Sequence, residues 1–183
     1  LLSRYRLFGT LPTEREREKS SLVSRAWYLW LGRQYAEAQE FCQSALANAQ
    51  IGHVERFDLL RRQCDALHRL GRHEEAGQVA DKLLAHTEEL RTKIEVDESE
   101  KDRRLAQTLA RLGRHDEAIA AGRRAIEAMR IPQQQRRRWG READLAEIYA
   151  EANRPQECIE LIARLLRVPS WLTVPMLRVD PIW

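Results

Sequence analysis

The chain has 183 residues, 43% hydrophobic and 32% charged, with only eight Gly and six Pro, a balance that excludes a disordered polymer and points to a helix-rich, well-solvated fold. Its 31 basic and 28 acidic residues leave a formal charge of +3, too weak a field to favour nucleic acid as partner. No apolar run approaches the ~20 residues a membrane span requires, no secretory leader is visible, and three cysteines without paired or metal-type spacing point to reduced, buried thiols in a cytoplasmic protein.

The first twelve residues read as the end of a preceding element, and the chain does not start with Met, as expected of a fragment of a longer protein. Thr13 and Glu16 form a capping-box pattern with Glu14 near the positive helix end. A helix follows through Arg25, Trp27, Tyr28 and Leu31 to Gly32, with one of Trp27 and Trp30 expected in the core. Its partner spans about 35–49, with Ala38, Phe41, Cys42, Ala45 and Leu46 on one stripe, and Gly52 closes it. The third helix runs from about His53 to Leu70 with Phe57, Leu60, Cys64 and Leu67 inward, ended by Gly71. The fourth starts near His73, carries Ala76, Val79, Ala80, Leu83 and Leu84, and extends past Leu90. Asp97 or Ser99 caps the fifth, which carries Leu105, Leu109 and Leu112 and stops at Gly113. The sixth carries Ala118, Ile119, Gly122, Ala125, Ile126 and Met129. Pro132 suits the first turn of a seventh, with Trp139, Ala143, Leu145, Ala146, Ile148 and Tyr149. Pro155 opens an eighth, with Cys158, Ile159, Ile162, Leu165 and Leu166 inward. The tail 168–183 holds Pro169, Pro175 and Pro181, which break any long helix, yet its Trp, Leu, Ile and Met content predicts that it folds back over the last hairpin as a cap.

A phrase recurs through these helices. Leu70-Gly71-Arg72-His73-Glu74-Glu75-Ala76 returns 42 residues later as Leu112-Gly113-Arg114-His115-Asp116-Glu117-Ala118. Leu31-Gly32-Arg33 through Ala38 is a looser copy, and Asn153-Arg154-Pro155-Gln156-Glu157-Cys158 a worn one. Ala38, Ala76, Ala118 and Cys158 are thus spaced 38, 42 and 40 residues apart, the period of a helical-repeat array in which no repeat buries its apolar face alone. The prediction is an all-α chain with helical hairpins at about 13–50, 53–95, 97–130 and 132–167, making one repeat domain over 13–167 with the tail as cap.

At these residues the chain resembles the tetratricopeptide repeat family. The matching features are a turn glycine (Gly32, Gly71, Gly113), an aromatic or His after it (Tyr35, His73, His115), a small residue (Ala38, Ala76, Ala118), and a small or apolar residue seven further on (Ala45, Leu83, Ala125, Leu165). The departures are repeats nearer 40 than 34 residues, one extra residue between Gly32 and Ala38, no signature Trp early in each repeat, and Asn153 in place of the fourth glycine. Asn is the residue best able to replace glycine in a left-handed turn. The resemblance implies an α-α superhelix, a tetratricopeptide-like solenoid. It also implies that His73 and His115 pack between the helices of their hairpins. The tail, with Val168-Pro169-Ser170-Trp171 and Pro175 to Trp183, is similar to the close of tetratricopeptide regions in large bacterial signalling proteins carrying a kinase, cyclase or DNA-binding domain.

Chemistry is sparse. The cysteines fall where repeats want small buried side chains: Cys158 with Ala38, Ala76 and Ala118; Cys64 with Ala106 and Ala146; Cys42 with Ala80 and Gly122. No phosphate-cradling glycine loop, metal-ligand cluster or nucleophile–base motif is present, so no enzyme, metal or cofactor is expected. The Arg136, Arg137, Arg138 and Arg141 cluster reads as a solvated helix face.

The arginines are the functional lead. In the resembled family the first helix of each hairpin lines the concave face, which implies that Arg61, Arg62 and Arg69, with Asp65 and His68, project there. Arg103, Arg104 and Arg111, with Gln107, repeat the pattern 42 residues on, and Asp144, Glu147 and Glu151 then reverse the sign. Such a strip suits carboxylates or phosphates; the competing expectation is that these charges pair between neighbouring helices or face solvent. The asparagines of the family's chaperone-binding carboxylate clamp are replaced by Asp65 and Gln107, which argues against chaperone-tail binding. The sequence therefore predicts a non-enzymatic interaction scaffold that grips a protein or peptide on its concave face. The alternative is an intramolecular regulatory or dimerisation (homodimer) module of a multidomain bacterial signalling protein, its partner being another domain of the same polypeptide. A nucleic-acid-binding repeat is weaker still.

Overall fold

The computed structural model describes residues 21–48, 50–93, 97–129 and 134–183. The lead-in over 1–12, the Thr13–Glu16 capping box and the Pro132 helix start lie outside these residues. Among the described residues every regular element is a helix: α1 (Leu22–Leu31), α2 (Tyr35–Leu46), α3 (His53–Arg69), α4 (His73–Lys93), α5 (Glu98–Arg111), α6 (His115–Glu127), α7 (Gln135–Glu151), α8 (Pro155–Leu165) and the short α9 (Val174–Val179). The all-α class expected from the repeat pattern is the class observed. No helix among the described residues is long and apolar enough to cross a membrane.

The starts follow local chemistry. Ser21 caps α1, its hydroxyl accepting from the Ser24 N–H at 3.3 Å. Asp97 caps α5, accepting from the Glu100 N–H at 2.8 Å. Pro155 occupies the first turn of α8, where its missing N–H costs nothing.

One turn is built four times. The positive-φ residues among those described are Arg33 (58°), Gly71 (72°), Gly113 (71°) and Asn153 (54°). In each case that residue's N–H bonds the carbonyl three residues back, and the next N–H bonds the carbonyl five back: Arg33 to Trp30 and Gln34 to Leu29, Gly71 to His68 and Arg72 to Leu67, Gly113 to Ala110 and Arg114 to Leu109, Asn153 to Ala150 and Arg154 to Tyr149. This is the Schellman closure, which satisfies orphan carbonyls at a helix end. The Gln34, Arg72, Arg114 and Arg154 carbonyls then accept the N–H of Ala38, Ala76, Ala118 and Cys158, starting the next helix. The side chains of the same four residues reach forward to Glu37, Glu75, Glu117 and Glu157. The glycine match at Gly32 is thereby corrected. Gly32 has φ −74°, and Arg33, five residues before Ala38, takes the left-handed place. Asn153 behaves as expected.

The chain forms two compact units, with the boundary inside α4 between His86 and Thr87. The first runs to His86 and includes Val179–Pro181. In it α1 packs on α2 and α3, and α2 on α3. Ala26, Cys42 and Leu59 form a core there, flanked by Leu22, Phe41, Ala45, Leu46 and Ile51. The second unit runs from Thr87 to Arg178 and includes Ile182–Trp183. In it α5 packs on α6 and α7, α6 on α7, and α7 on α8. Its core holds Ala106, Leu109, Ala118, Ile119, Leu145, Ile148, Tyr149 and Cys158. Gly122 lies so close to α7 that a methyl there would meet Leu145 Cδ1 at 2.9 Å, so the small-residue requirement at this repeat position is a matter of helix approach. A second cluster joins Ala143, Leu165 and Leu172 with Trp139, Trp171, Leu177 and Trp183. In this way the tail covers the last hairpin as expected, except for Val179–Pro181.

Two details depart from the sequence reading. His73 is exposed, because α4 begins at it and the buried seam starts at Ala76; its ring lies 5.8 Å from that of His68 across the turn. His115, its repeat equivalent, is half-buried. On α8 the inner face is Cys158, Leu161, Ile162 and Leu165, whereas Ile159 (62%) and Leu166 (41%), each one position further round, are exposed.

Candidate functional site

The arginines singled out by repeat spacing meet different environments in the two units. In the first, Arg62 is buried on α3 and donates to Asp65 at 3.2 Å. Its guanidinium carbon also stands 5.0 Å from the Trp30 ring centroid, and that of Arg69 stands 5.7 Å from it, both within cation–π range. Trp30 is buried and Trp27 half-buried, so one of the tryptophan pair is core, as expected. Arg69 is exposed as a whole residue, and its Nη2 donates to the Pro181 carbonyl at 2.6 Å. The Trp30 indole N–H donates to Asp180 Oδ1 at 3.2 Å. Arg61 is half-buried, and its Nε is shielded from solvent without a hydrogen-bond partner among the described residues.

In the second unit two of the equivalent arginines, Arg103 and Arg104, converge with Arg141 on one carboxylate. Glu100 receives Arg103 at 2.6 and 3.0 Å, Arg104 at 2.7 Å and Arg141 at 2.6 Å. Burial pushes the Glu100 carboxyl up, but the hydrogen bonds and charges of Arg103, Arg104 and Arg141 outweigh it and bring the group down to about 2. Arg141 is held below the usual guanidinium range, first by burial and then by the charge of Arg103. Arg103 also bonds Gln107 at 3.0 Å and lies 3.9 Å from Asp144. Arg111 pairs with Glu151 at 3.4 Å and donates to the Gln107 carbonyl at 3.3 Å. Glu147 sits half-buried on α7. The charge reversal at Asp144 and Glu151 is thus in contact with the arginines one repeat earlier, the cross-helix pairing that the sequence left as the competing expectation. In the Arg136–Arg141 cluster, Arg137 pairs with Asp97 at 2.8 Å, and Arg138 with Glu142 of its own helix at 3.3 Å.

Residues 104–128 match the tetratricopeptide repeat family. The tetratricopeptide repeat covers the latter part of α5, the Gly113 turn and α6, and contains Arg104, Gln107 and Arg111. Repeats of this kind generally mediate protein–protein interaction, and their family is typically a non-catalytic scaffold. No curated protein and no solved structure matches the chain.

The three cysteines are buried and unbridged. Burial pushes the Cys42 thiol up to about 12, against the opposing charge of Arg62, which leaves essentially no thiolate for nucleophilic chemistry. Sequence reasoning missed Glu100 and Asp180, and it read Arg141 as part of a solvated helix face, whereas Arg141 is drawn in to Glu100. Glu100 carried a local signal, three and four residues before Arg103 and Arg104 on one helix face. Asp180 carried none, since its partner Trp30 is 150 positions away. The His53–His86 pair, stacked at 5.6 Å with His86 Nε2 2.9 Å from the His53 carbonyl oxygen, was equally silent.

Proposed function

We propose that the chain is a non-catalytic protein-interaction module that receives a partner protein on the first helices of the hairpins in each of its units. The observation that carries this reading is the tetratricopeptide repeat at 104–128, set among hairpins that share one turn. The residues assigned to recognition are Arg61, Arg62, Asp65 and Arg69 on α3, Arg103, Arg104, Gln107 and Arg111 on α5, and Asp144 and Glu147 on α7. Their roles divide by environment. Arg104 and Arg111 are buried and hold the surface in shape through Glu100 and Glu151, while Arg69 is exposed and Arg61 half-buried. Three unbridged thiols support a reducing, cytoplasmic setting.

A second reading is an intramolecular regulatory element of a multidomain bacterial signalling protein. It is favoured by one observation, the chain's own residues Asp180 and Pro181 seated on Trp30 and Arg69.

The test is a displayed peptide library selected against the full chain, followed by calorimetric titration of the best acidic binder. Arg61→Glu weakens that binder by about tenfold or more, as loss and reversal of a charge-assisted contact should. Arg136→Glu, on an exposed face of α7, leaves it within about twofold. Equal affinity for all three proteins would overturn the assignment of the surface.

A further inference from the structure

We infer that Trp30, Arg62 and Arg69 form a peptide-recognition subsite whose resident occupant is the chain's own Val179–Pro181, and that a partner protein's extended segment bearing an aspartate followed by proline takes this subsite by displacing the resident. The inference rests on the interaction-module reading above and gives its first unit a ligand chemistry.

Among the described residues, the two hydrogen bonds from these side chains to the segment both run from receptor to ligand. Both donors belong to the repeat side, namely the Trp30 indole N–H and the Arg69 guanidinium. Both acceptors belong to the tail, namely the Asp180 carboxylate and the Pro181 carbonyl. Residue 181 being proline matters, because it brings no N–H that would need an acceptor on a surface made of donors. The aspartate is itself buried, at 8% exposure, and a buried carboxylate is tolerated only where hydrogen bonds and positive charge receive it. Arg62 and Arg69, both over the Trp30 ring, bring two cations to the indole whose N–H holds that carboxylate. Trp30 lies on α1 and the two arginines on α3, so the subsite is assembled by the first helices of two successive hairpins, the elements assigned to partner recognition above. Helix α9 ends at Val179, and Asp180 and Pro181 follow it outside any helix, which leaves the carbonyl of residue 181 available to Arg69.

A segment tethered to its own site competes at an effective concentration in the millimolar range. The wild-type chain therefore hides much of its affinity for an external ligand of the same chemistry, and removing the resident should uncover it.

The experiment uses a fluorescein-labelled peptide with the sequence of residues 177–182 and the full chain, read by anisotropy. Asp180→Ala is expected to bind the peptide about tenfold or more tightly than wild type, because the tethered competitor has lost its anchoring carboxylate. Adding Arg69→Ala to that variant should abolish the gain, and a peptide with alanine at the aspartate should lose about tenfold. Asp180→Asn, which removes the carboxylate charge while keeping the side-chain size, replaces Asp180→Ala if circular dichroism shows the alanine variant unfolded. Equal, weak binding by wild type and the folded Asp180 variant would overturn the proposal and leave the tail as a fixed structural clasp. If a library peptide is sensitive to Arg61→Glu but indifferent to Asp180 and Arg69, the interaction-module reading survives and this subsite does not. If no peptide binds anywhere on the chain, both fall.

Discussion

Arg33 and Asn153 hold left-handed backbone angles that glycine accepts freely and other residues adopt at a cost of ~1 kcal/mol. The four-copy turn thus offers a matched set of substitutions. Arg33→Gly and Asn153→Gly are expected to raise stability by about 1 kcal/mol, and Gly71→Ala and Gly113→Ala to lower it by a similar amount. A Cβ at Gly71 or Gly113 would have nothing within 4 Å, so the loss would report backbone conformation alone. Urea midpoints at constant slope check both directions. The sequence made Asn153 legible as a glycine substitute because the flanking residues kept register. It misplaced the first copy because the letters Leu-Gly-Arg matched while the count back from Ala38 did not.

Within α5, Glu100 gathers Arg103 and Arg104 from its own helix and Arg141 from α7. Removing one partner from a buried charged cluster leaves the others uncompensated, so Glu100→Gln should cost about 3 kcal/mol. The pH dependence has a definite sign. The folded carboxyl lies at about 2, below its usual 4.5. Its stabilisation is therefore complete above the usual carboxylate value and is lost as pH falls from there toward 2. Wild type should lose denaturant resistance across that window, and Glu100→Gln should show a shallower decline. The local half of this cluster was readable from the spacing of 100, 103 and 104. The Arg141 arm was not, because it depends on how two helices from successive hairpins face each other. The same limit applied to the Arg strip: its spacing was visible, but only the packed helices reveal that Asp144 and Glu151 meet Arg103 and Arg111.

For the whole chain, a formal charge of +3 and arginines engaged with carboxylates leave little positive field to offer a polyanion. Duplex DNA and single-stranded RNA are expected to bind no more tightly than the non-specific range of about 10⁻⁴ to 10⁻⁶ M at physiological salt, measured by filter binding with a salt series. A salt-steep affinity well beyond that range would contradict the charge pairing described for α5 and α7. The all-helical class was legible because helical periodicity and turn closure are local. The destination of Asp180 was not, because no local pattern encodes a contact across 150 positions. The recurrent turn carries a broader lesson. The same hydrogen bonds accept Arg, Gly, Gly or Asn at the left-handed position, so its spelling is free to drift while its geometry persists. A closure of this kind therefore keeps a hairpin's geometry even where the residues that spell it differ, as the turns at Arg33 and Asn153 do from those at Gly71 and Gly113.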